Sequence, residues 1–183
     1  MYQNIGSKEN CQVCGIELEY YSKSEKMICY NCGVTENAWI AAGSLMAALR
    51  NEGSIEIQDD QIREVLYRTR NQAIGGYCGL TGVCGIAPGI GACFSLILGA
   101  ACPKNKETAT TMKVVGRIVN VIADETGPCC CKSFVRSSLK EAGDMINEYL
   151  NVELPEHVMK ISCDHMNRHP HGCREVKCLY WNQ

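Results

Sequence analysis

The sequence lacks a secretory leader, a membrane-spanning run and an excess of charge of one sign. Its first thirty residues hold no charged-then-apolar leader, and the longest apolar run, Ile90 to Ala101, is too short to cross a bilayer. The formal net charge is -2 and no basic cluster stands out, so nothing draws the chain to nucleic acid or to an acidic membrane. We therefore expect a soluble, cytoplasmic protein.

Cysteine, by contrast, is abundant and supplies 14 of the 183 residues. Disulfide scaffolds belong to oxidising compartments, so the missing leader removes that explanation and leaves metal binding as the default. So many thiols also suit an anaerobic or strongly reducing host, because they oxidise readily. At this length we expect one main domain with its own core and a small appendage.

Two C-x2-C pairs near the N-terminus form the strongest motif. Four thiolates on two tight turns are the ligand set of a tetrahedral zinc site, and the alternation over residues 16–20 predicts a hairpin strand between the pairs. The pattern resembles a zinc ribbon, although its spacer of fourteen residues is one short of the usual lower limit of about 15. A rubredoxin-like iron site would use the same four ligands. The predicted metal ligands are Cys11, Cys14, Cys29 and Cys32.

Apolar residues recur at helical spacing in several segments that turn residues separate. The predicted domains are a zinc ribbon over residues 1–34 and a cysteine-rich helical domain over residues 35–183. The fold class is therefore mainly α, with about five helices, an N-terminal ribbon hairpin and a C-terminal loop held by metal. The predicted helices cover residues 35–50 and 59–73, a segment from about residue 86 to Cys102, and residues 107–124 and 133–150.

The stretch over residues 75–102 is where we expect a metal or thiol site to form. Its glycines permit positive φ and let the backbone approach a bulky group. Pro88 suits the first turn of a helix, so Cys84 would precede a helix N-terminus, where N-H groups favour the thiolate. Cys78 and Cys84 are candidate cofactor ligands, and Cys84 is also a candidate catalytic thiol. Cys93 is assigned to the apolar core.

A second group of thiols occurs in the motif GPCCCKS. Three adjacent thiols cannot all face one core, because neighbouring side chains point in different directions, so at least one is expected to be functional. Lys132 and the following helix favour the thiolate form. Cys129, Cys130 and Cys131 are therefore candidate cofactor ligands, and Cys130 is also a candidate catalytic thiol.

The C-terminal segment carries three more cysteines, spaced C-x9-C-x4-C, with histidines between the first two. It has few apolar anchors, so a bound metal would be its natural means of folding. The spacing matches no standard zinc or ferredoxin pattern, and each histidine is interpreted as a surface residue. The candidate cofactor ligands here are Cys163, Cys173 and Cys178.

The motifs GGYCG, GVCGIAPGIGAC, GPCCCKS and the terminal C-x9-C-x4-C resemble an uncharacterised cysteine-rich domain family of anaerobic archaea and bacteria. That family occurs alone and fused to class I methyltransferases. The resemblance covers roughly residues 75–178 and implies an anaerobic setting, but no established activity. The chain itself has no glycine-rich nucleotide fingerprint after a strand, so no methyltransferase domain is expected in it.

Three functions remain open, and the sequence does not decide whether the protein is an enzyme. In the first, the C-terminal cysteines and one of the three adjacent cysteines hold an iron-sulfur cluster, of the 4Fe-4S type, against the glycine-rich loop for redox, sulfur-transfer or Lewis-acid chemistry. The alternative is a non-catalytic zinc-binding adaptor or accessory subunit. A third is a thiol-based enzyme or metal-handling protein that uses Cys84 and Cys129 to Cys131 as reactive thiols without a bound cluster.

The expected cofactors are zinc in the ribbon and the cluster in the helical domain. The expected partner is a small molecule or another protein, with no nucleic acid and no membrane. Assembly into a homo-oligomer or a larger complex is open.

Overall fold

The structure, a computed structural model, describes residues 34–155, 162–163, 166–168 and 172–181. Within these residues the chain is helical and contains no strand, which confirms the mainly α fold class. The predicted ribbon with Cys11, Cys14, Cys29 and Cys32 lies outside the described residues. The helices are α1 (Val34–Glu52), α2 (Asp59–Gln72), α3 (Tyr77–Thr81), α4 (Ile86–Leu98), α5 (Asn105–Asp124) and α6 (Cys131–Leu150), followed by 3-10 turns at Met166–Arg168 and Glu175–Lys177.

Four of the predicted helices agree with the structure to within two residues at each end, namely α1, α2, α5 and α6. Helix α4 ends earlier than predicted, at Leu98, because Gly99 adopts the left-handed conformation with φ 63° and stops the helix. Helix α3 was not predicted. It is a single five-residue turn between Gly76 and Gly82, which adopt φ values of 75° and 78°. The glycines at its two ends favour a loop when only the sequence is considered.

The helices pack so that several of their ends meet. The carbonyl of Ala38 would lie 3.2 Å from a methyl group built on Gly89, and the Cys93 Sγ lies 3.5 Å from the Ala42 carbonyl. Helices α1 and α4 therefore run in the same direction and begin at the same end. Helix α2 runs the opposite way and ends there, since a methyl group on Gly85 would lie 2.8 Å from the Ala73 Cβ.

The core lies around α4, which packs against α1, α2, α5 and α6. Phe94 and Phe134 are among its largest fully buried side chains, and the Phe94 ring meets Tyr149 edge-on with centroids 6.4 Å apart. On the outer surface Arg117 joins α5 to Glu141 of α6. Among the described residues, no helix combines the length and the apolar composition needed to cross a membrane.

Candidate functional site

Helix α3 and the loop after it place two thiols at the end of the bundle where α4 begins. Cys78 lies in the single turn of α3 and is half-buried, whereas Cys84, two residues before α4, is only 3 % exposed. Gly85 allows this close approach because its Cα stands against Ala73, where any larger residue would clash. The loop therefore presses Cys84 into the bundle while Cys78 stays near the surface.

The chain between α5 and α6 brings three more thiols to the same end. It turns through Gly127, with φ 86°, and a cis peptide to Pro128. Cys129, Cys130 and Cys131 follow, all half-buried, and Cys131 is the first residue of α6. The predicted start at residue 133 was two residues late, because Cys131 already belongs to the first turn of α6, with Cys130 as its N-cap and Cys129 in the loop before it.

These five cysteines form one cluster, which we call the thiol group. Burial, and to a lesser extent the neighbouring thiols of Cys84, Cys78, Cys130 and Cys129, together raise the pKa of Cys131 to about 12. The pKa of Cys78 is also raised, by burial and by the thiol of Cys129. Burial and the repulsion between neighbouring thiolates therefore favour the protonated forms of Cys78 and Cys131 in the metal-free protein. The thiol group consists of Cys78, Cys84, Cys129, Cys130 and Cys131.

The expectation that the helix N-terminus holds Cys84 as a thiolate is wrong for the metal-free protein. Burial raises the pKa of Cys84 to about 11, although the N-H of Ile86 acts in the opposite direction. The desolvation cost of a nearly inaccessible thiolate outweighs the backbone donor at the start of α4. A bound cation would reverse this balance, because metal ligation takes place on the deprotonated sulfur.

The C-terminal segment is attached to this end of the bundle by an ion pair. The Arg174 Nη1 donates to the Glu125 Oε2 at 3.3 Å, and the Ser133 Oγ donates to the same oxygen at 2.8 Å. The Arg174 side chain is only 7 % exposed and that of Glu125 19 %. The Nε of Arg174 is also buried, with no hydrogen-bond acceptor among the described residues. The pair links the tail to the last turn of α5 and the first turn of α6.

A second contact holds the tail further along α6. The guanidinium carbon of Arg136 lies 4.5 Å from the centre of the Tyr180 ring, a cation-π arrangement. The backbone N-H of Cys163 donates to the Tyr180 carbonyl at 2.9 Å. The Cys173 Sγ accepts the N-H of Glu175 at 3.3 Å, as sulfur ligands commonly do in metal sites. The three predicted tail ligands thus belong to a segment docked on the first turns of α6.

The side chains do not already enclose a metal ion. Among the described residues, no three His, Cys, Asp or Glu side chains meet closely enough to hold one. The thiols are therefore near enough to affect each other's protonation but not at ligand distance from a common point. Ligation would require these thiols to move closer together. The histidines of the tail, His165, His169 and His171, lie outside the described residues.

The two remaining described cysteines are separate from this group. Cys93 is fully buried within α4, where its thiol lies 3.4 Å from the Gly89 carbonyl, and burial raises its pKa. Its assignment to the core is confirmed. Cys102 is exposed between α4 and α5, at the opposite end of α4. A groove of about 570 Å³ between α1 and α6 contains no cysteine.

Exposed apolar side chains surround the loop that carries Cys78 and Cys84. Leu80 is 78 % exposed, and Tyr77 and Val83 are also accessible. Single exposed apolar residues are ordinary, but these three occur within seven consecutive positions. The thiol group therefore borders a short apolar stretch of surface on the side of α3.

Sequence reasoning missed Glu125, Ser133 and Arg174. Glu125 and Arg174 are 49 positions apart, and no periodicity relates them. The nearest signal was the place of Arg174 directly after a candidate ligand, Cys173, in a tail with few apolar anchors. That signal gives no partner for the arginine, so only the folded chain identifies the contact.

The chain was compared with known proteins. No curated protein and no solved structure matched it. A family model matches residues 7–181, which extends well beyond the resemblance seen from residue 75 onward and includes both N-terminal C-x2-C pairs. Because the match covers nearly the whole sequence, the chain belongs to the family of unknown function designated DUF5714.

Proposed function

We propose that this protein binds a metal-thiolate centre, an iron-sulfur cluster of the 4Fe-4S type, at the end of the bundle where α4 and α6 begin. The observation that supports this most is the clustering of five thiols from two segments far apart in the chain, 78–84 and 129–131. Sulfur is the donor that iron-sulfur centres use, and more thiols meet here than an apolar core needs. The thiol group also lies where backbone N-H groups are free of side-chain caps, at the starts of α4 and α6.

The proton balance of the site supports the same proposal. Thiols whose pKa values stand at about 11 and about 12 are poor nucleophiles near neutral pH, which disfavours an enzyme that uses them without a metal. A cation bound by Cys84 and Cys131 would instead displace their protons and neutralise the buried charge. The cysteines proposed as catalytic, Cys84 and Cys130, would then act through the centre or beside it.

The tail supplies further ligands in this proposal. Its docking on Glu125 and α6 brings the segment with Cys173 and Cys178 to the end of the bundle that holds Cys131. A bound cluster would supply one-electron transfer or, at an iron without a protein ligand, Lewis-acid chemistry. The protein would exclude water through the packing of Cys84 and admit a small molecule or a protein partner over the apolar stretch around Leu80.

One observation favours the alternative, a zinc-binding adaptor or accessory subunit. In the tail, Cys173 accepts the N-H of Glu175 within a tight turn that leads to Cys178. Turns of this kind are used by structural zinc sites with four protein ligands. The predicted N-terminal ribbon belongs to the same class of site.

The test is anaerobic purification of the full chain, followed by an absorption spectrum and analysis of iron, sulfide and zinc on one sample. We expect a brown protein with roughly one zinc and about four iron and four sulfide per chain. A colourless protein that contains only zinc would overturn the cluster and support the adaptor. Protein that binds neither metal under these conditions would overturn both.

A further inference from the structure

We infer that Arg174 is a positioning residue for the proposed centre, and that its Nε-H donates a hydrogen bond to one of the centre's sulfur atoms. The inference rests on the proposed function. It goes further because it assigns a role to a residue that is neither a ligand nor a nucleophile. It begins from a polar group that the fold buries without an acceptor.

Burial of Arg174 is nearly complete, since its side chain is 7 % exposed. Among the guanidinium nitrogens of Arg174, Nη1 has an acceptor in Glu125 at 3.3 Å, whereas Nε has none among the described residues. A buried donor without a partner costs roughly 1–3 kcal/mol, and more when it is charged. Proteins seldom keep such a group unless a water molecule, an ion or a ligand completes it.

The surroundings of the guanidinium point to sulfur as that acceptor. Arg174 directly follows Cys173, and its partner Glu125 is hydrogen-bonded to Ser133, two residues after Cys131. The arginine is thus held between two segments that both carry candidate ligands. Donors to ligand sulfur are the usual second layer of a metal-thiolate centre, where they stabilise the added charge of the reduced state.

Glu125 has a distinct part in this arrangement. It accepts hydrogen bonds from both Arg174 and Ser133 and so anchors one nitrogen of the guanidinium group, Nη1. Loss of Glu125 would loosen the tail but leave the Nε-H in place. A substitution of Arg174 that removes the Nε-H but keeps a positive charge would preserve the ion pair with Glu125 and remove the hydrogen-bond donor to sulfur. These two changes separate an anchor for the tail from a hydrogen bond to the centre.

The experiment uses the full chain, purified anaerobically with its centre in place, and the variants Arg174→Lys, Arg174→Gln, Glu125→Gln and Lys177→Gln. Lys177 is exposed in the same tail turn, so its variant is the matched control for lost charge. The readouts are the reduction potential and the rate of iron release to a chelator. Arg174→Lys keeps a cation for Glu125 and serves as the test if Arg174→Gln does not fold.

We expect Arg174→Lys and Arg174→Gln to lower the reduction potential relative to the parent and to release iron about tenfold faster. Lys177→Gln should change neither, and Glu125→Gln should speed release without lowering the potential. If the parent protein contains a cluster but Arg174→Lys matches Lys177→Gln in both readouts, the proposed role of Arg174 is overturned and the proposed cluster is not. Parent protein without iron and sulfide would overturn the proposed cluster and this role together.

Discussion

The two ends of the helical bundle differ in the side chains that lie next to their exposed backbone groups. At the far end, away from the thiol group, side chains complete some of these groups. The Lys104 Nζ donates to the Gly99 carbonyl at 2.7 Å, and the Gln61 Oε1 accepts the N-H of Gln58 at 2.8 Å. This is the ordinary way to finish a helix that faces water.

At the thiol end α4 and α6 begin without a side-chain cap, and so does α5 at the far end. The N-cap residues at the thiol end are Gly85 and Cys130. What separates the two ends is therefore the thiols, since Cys102 is the only described cysteine at the far end. Variants at the two ends should respond differently for that reason, and we expect the largest difference in metal binding.

Removal of a thiol at the thiol end should remove most of the bound metal, whereas removal of a thiol at the far end should leave metal binding unchanged. We expect Cys131→Ser to lose most of the bound metal, because its sulfur is surrounded by the other thiols, while the helical circular dichroism spectrum stays unchanged. Metal analysis of the anaerobically purified variant measures this. Cys102→Ser at the far end is the control and should bind as the parent does. Full metal retention by Cys131→Ser would contradict the site.

High pH should destabilise the metal-free protein through the thiol end. The pKa of Cys84 rises from 9.0 to about 11 on folding, so between these values the unfolded chain has lost a proton that the native state keeps. The free energy of unfolding should therefore be unaffected below about pH 9 and fall as pH rises toward 11. Denaturant titrations at several pH values measure the slope.

A Cys84→Ala variant is the comparison for this pH effect. Its unfolding free energy should fall less steeply over the same range, because one of the two most perturbed thiols of the thiol group is gone. Equal slopes for the parent and the variant would show that burial of Cys84 does not set the dependence.

A methyl group at Gly85 should disturb the loop that presses Cys84 inward. The added Cβ would lie 2.8 Å from the Ala73 Cβ and 2.9 Å from its Cα, which cannot move independently of α2. We expect Gly85→Ala to lower the free energy of unfolding by about 1–3 kcal/mol. Gly79→Ala is the matched control, since its methyl group would meet nothing within 4 Å, and it should be neutral or slightly stabilising. The reverse order of the two variants would contradict the packing.

Truncation of Cys93 should have the smallest effect and should leave the site intact. Cys93→Ala removes one fully buried sulfur from the core and should cost about 1 kcal/mol. Metal content should match that of the parent, in contrast to Cys84, nine positions earlier in the chain. A drop in metal content for Cys93→Ala would show that the core of α4 and the site are coupled.

Much of the fold was predictable because its helices carry strong apolar periodicity. The bounds of α5 and α6 follow from residues such as Ile118 and Ile146, which repeat at helical spacing and are fully buried. The predicted helix boundaries were wrong where one position broke the apolar pattern. Helix α6, for instance, starts at Cys131 instead of Ser133. A cysteine in the first turn of a helix is not a typical capping residue, so nothing in the residue pattern indicated that α6 begins before Ser133.

The site was predictable in its residue types but not in its electrostatics. Spacing identified Cys78, Cys84 and Cys131 as candidates, but their proximity depends on how α3, α4 and α6 pack. The direction of the Cys84 pKa depended on whether burial or the helix N-terminus had the larger effect, and only the folded chain decides that. Arg174 was missed for the same reason, because its burial is a tertiary property.

The contact between Glu125 and Arg174 also constrains the chain as a polymer. It closes a loop of 49 positions, and the entropy lost in closing a loop rises with the logarithm of its length. None of the described cysteines forms a disulfide, so in this part of the chain no covalent bridge reduces that loss. A metal held jointly by the tail and the thiol group would act as such a bridge, and its removal would make the tail the first part of the fold to open.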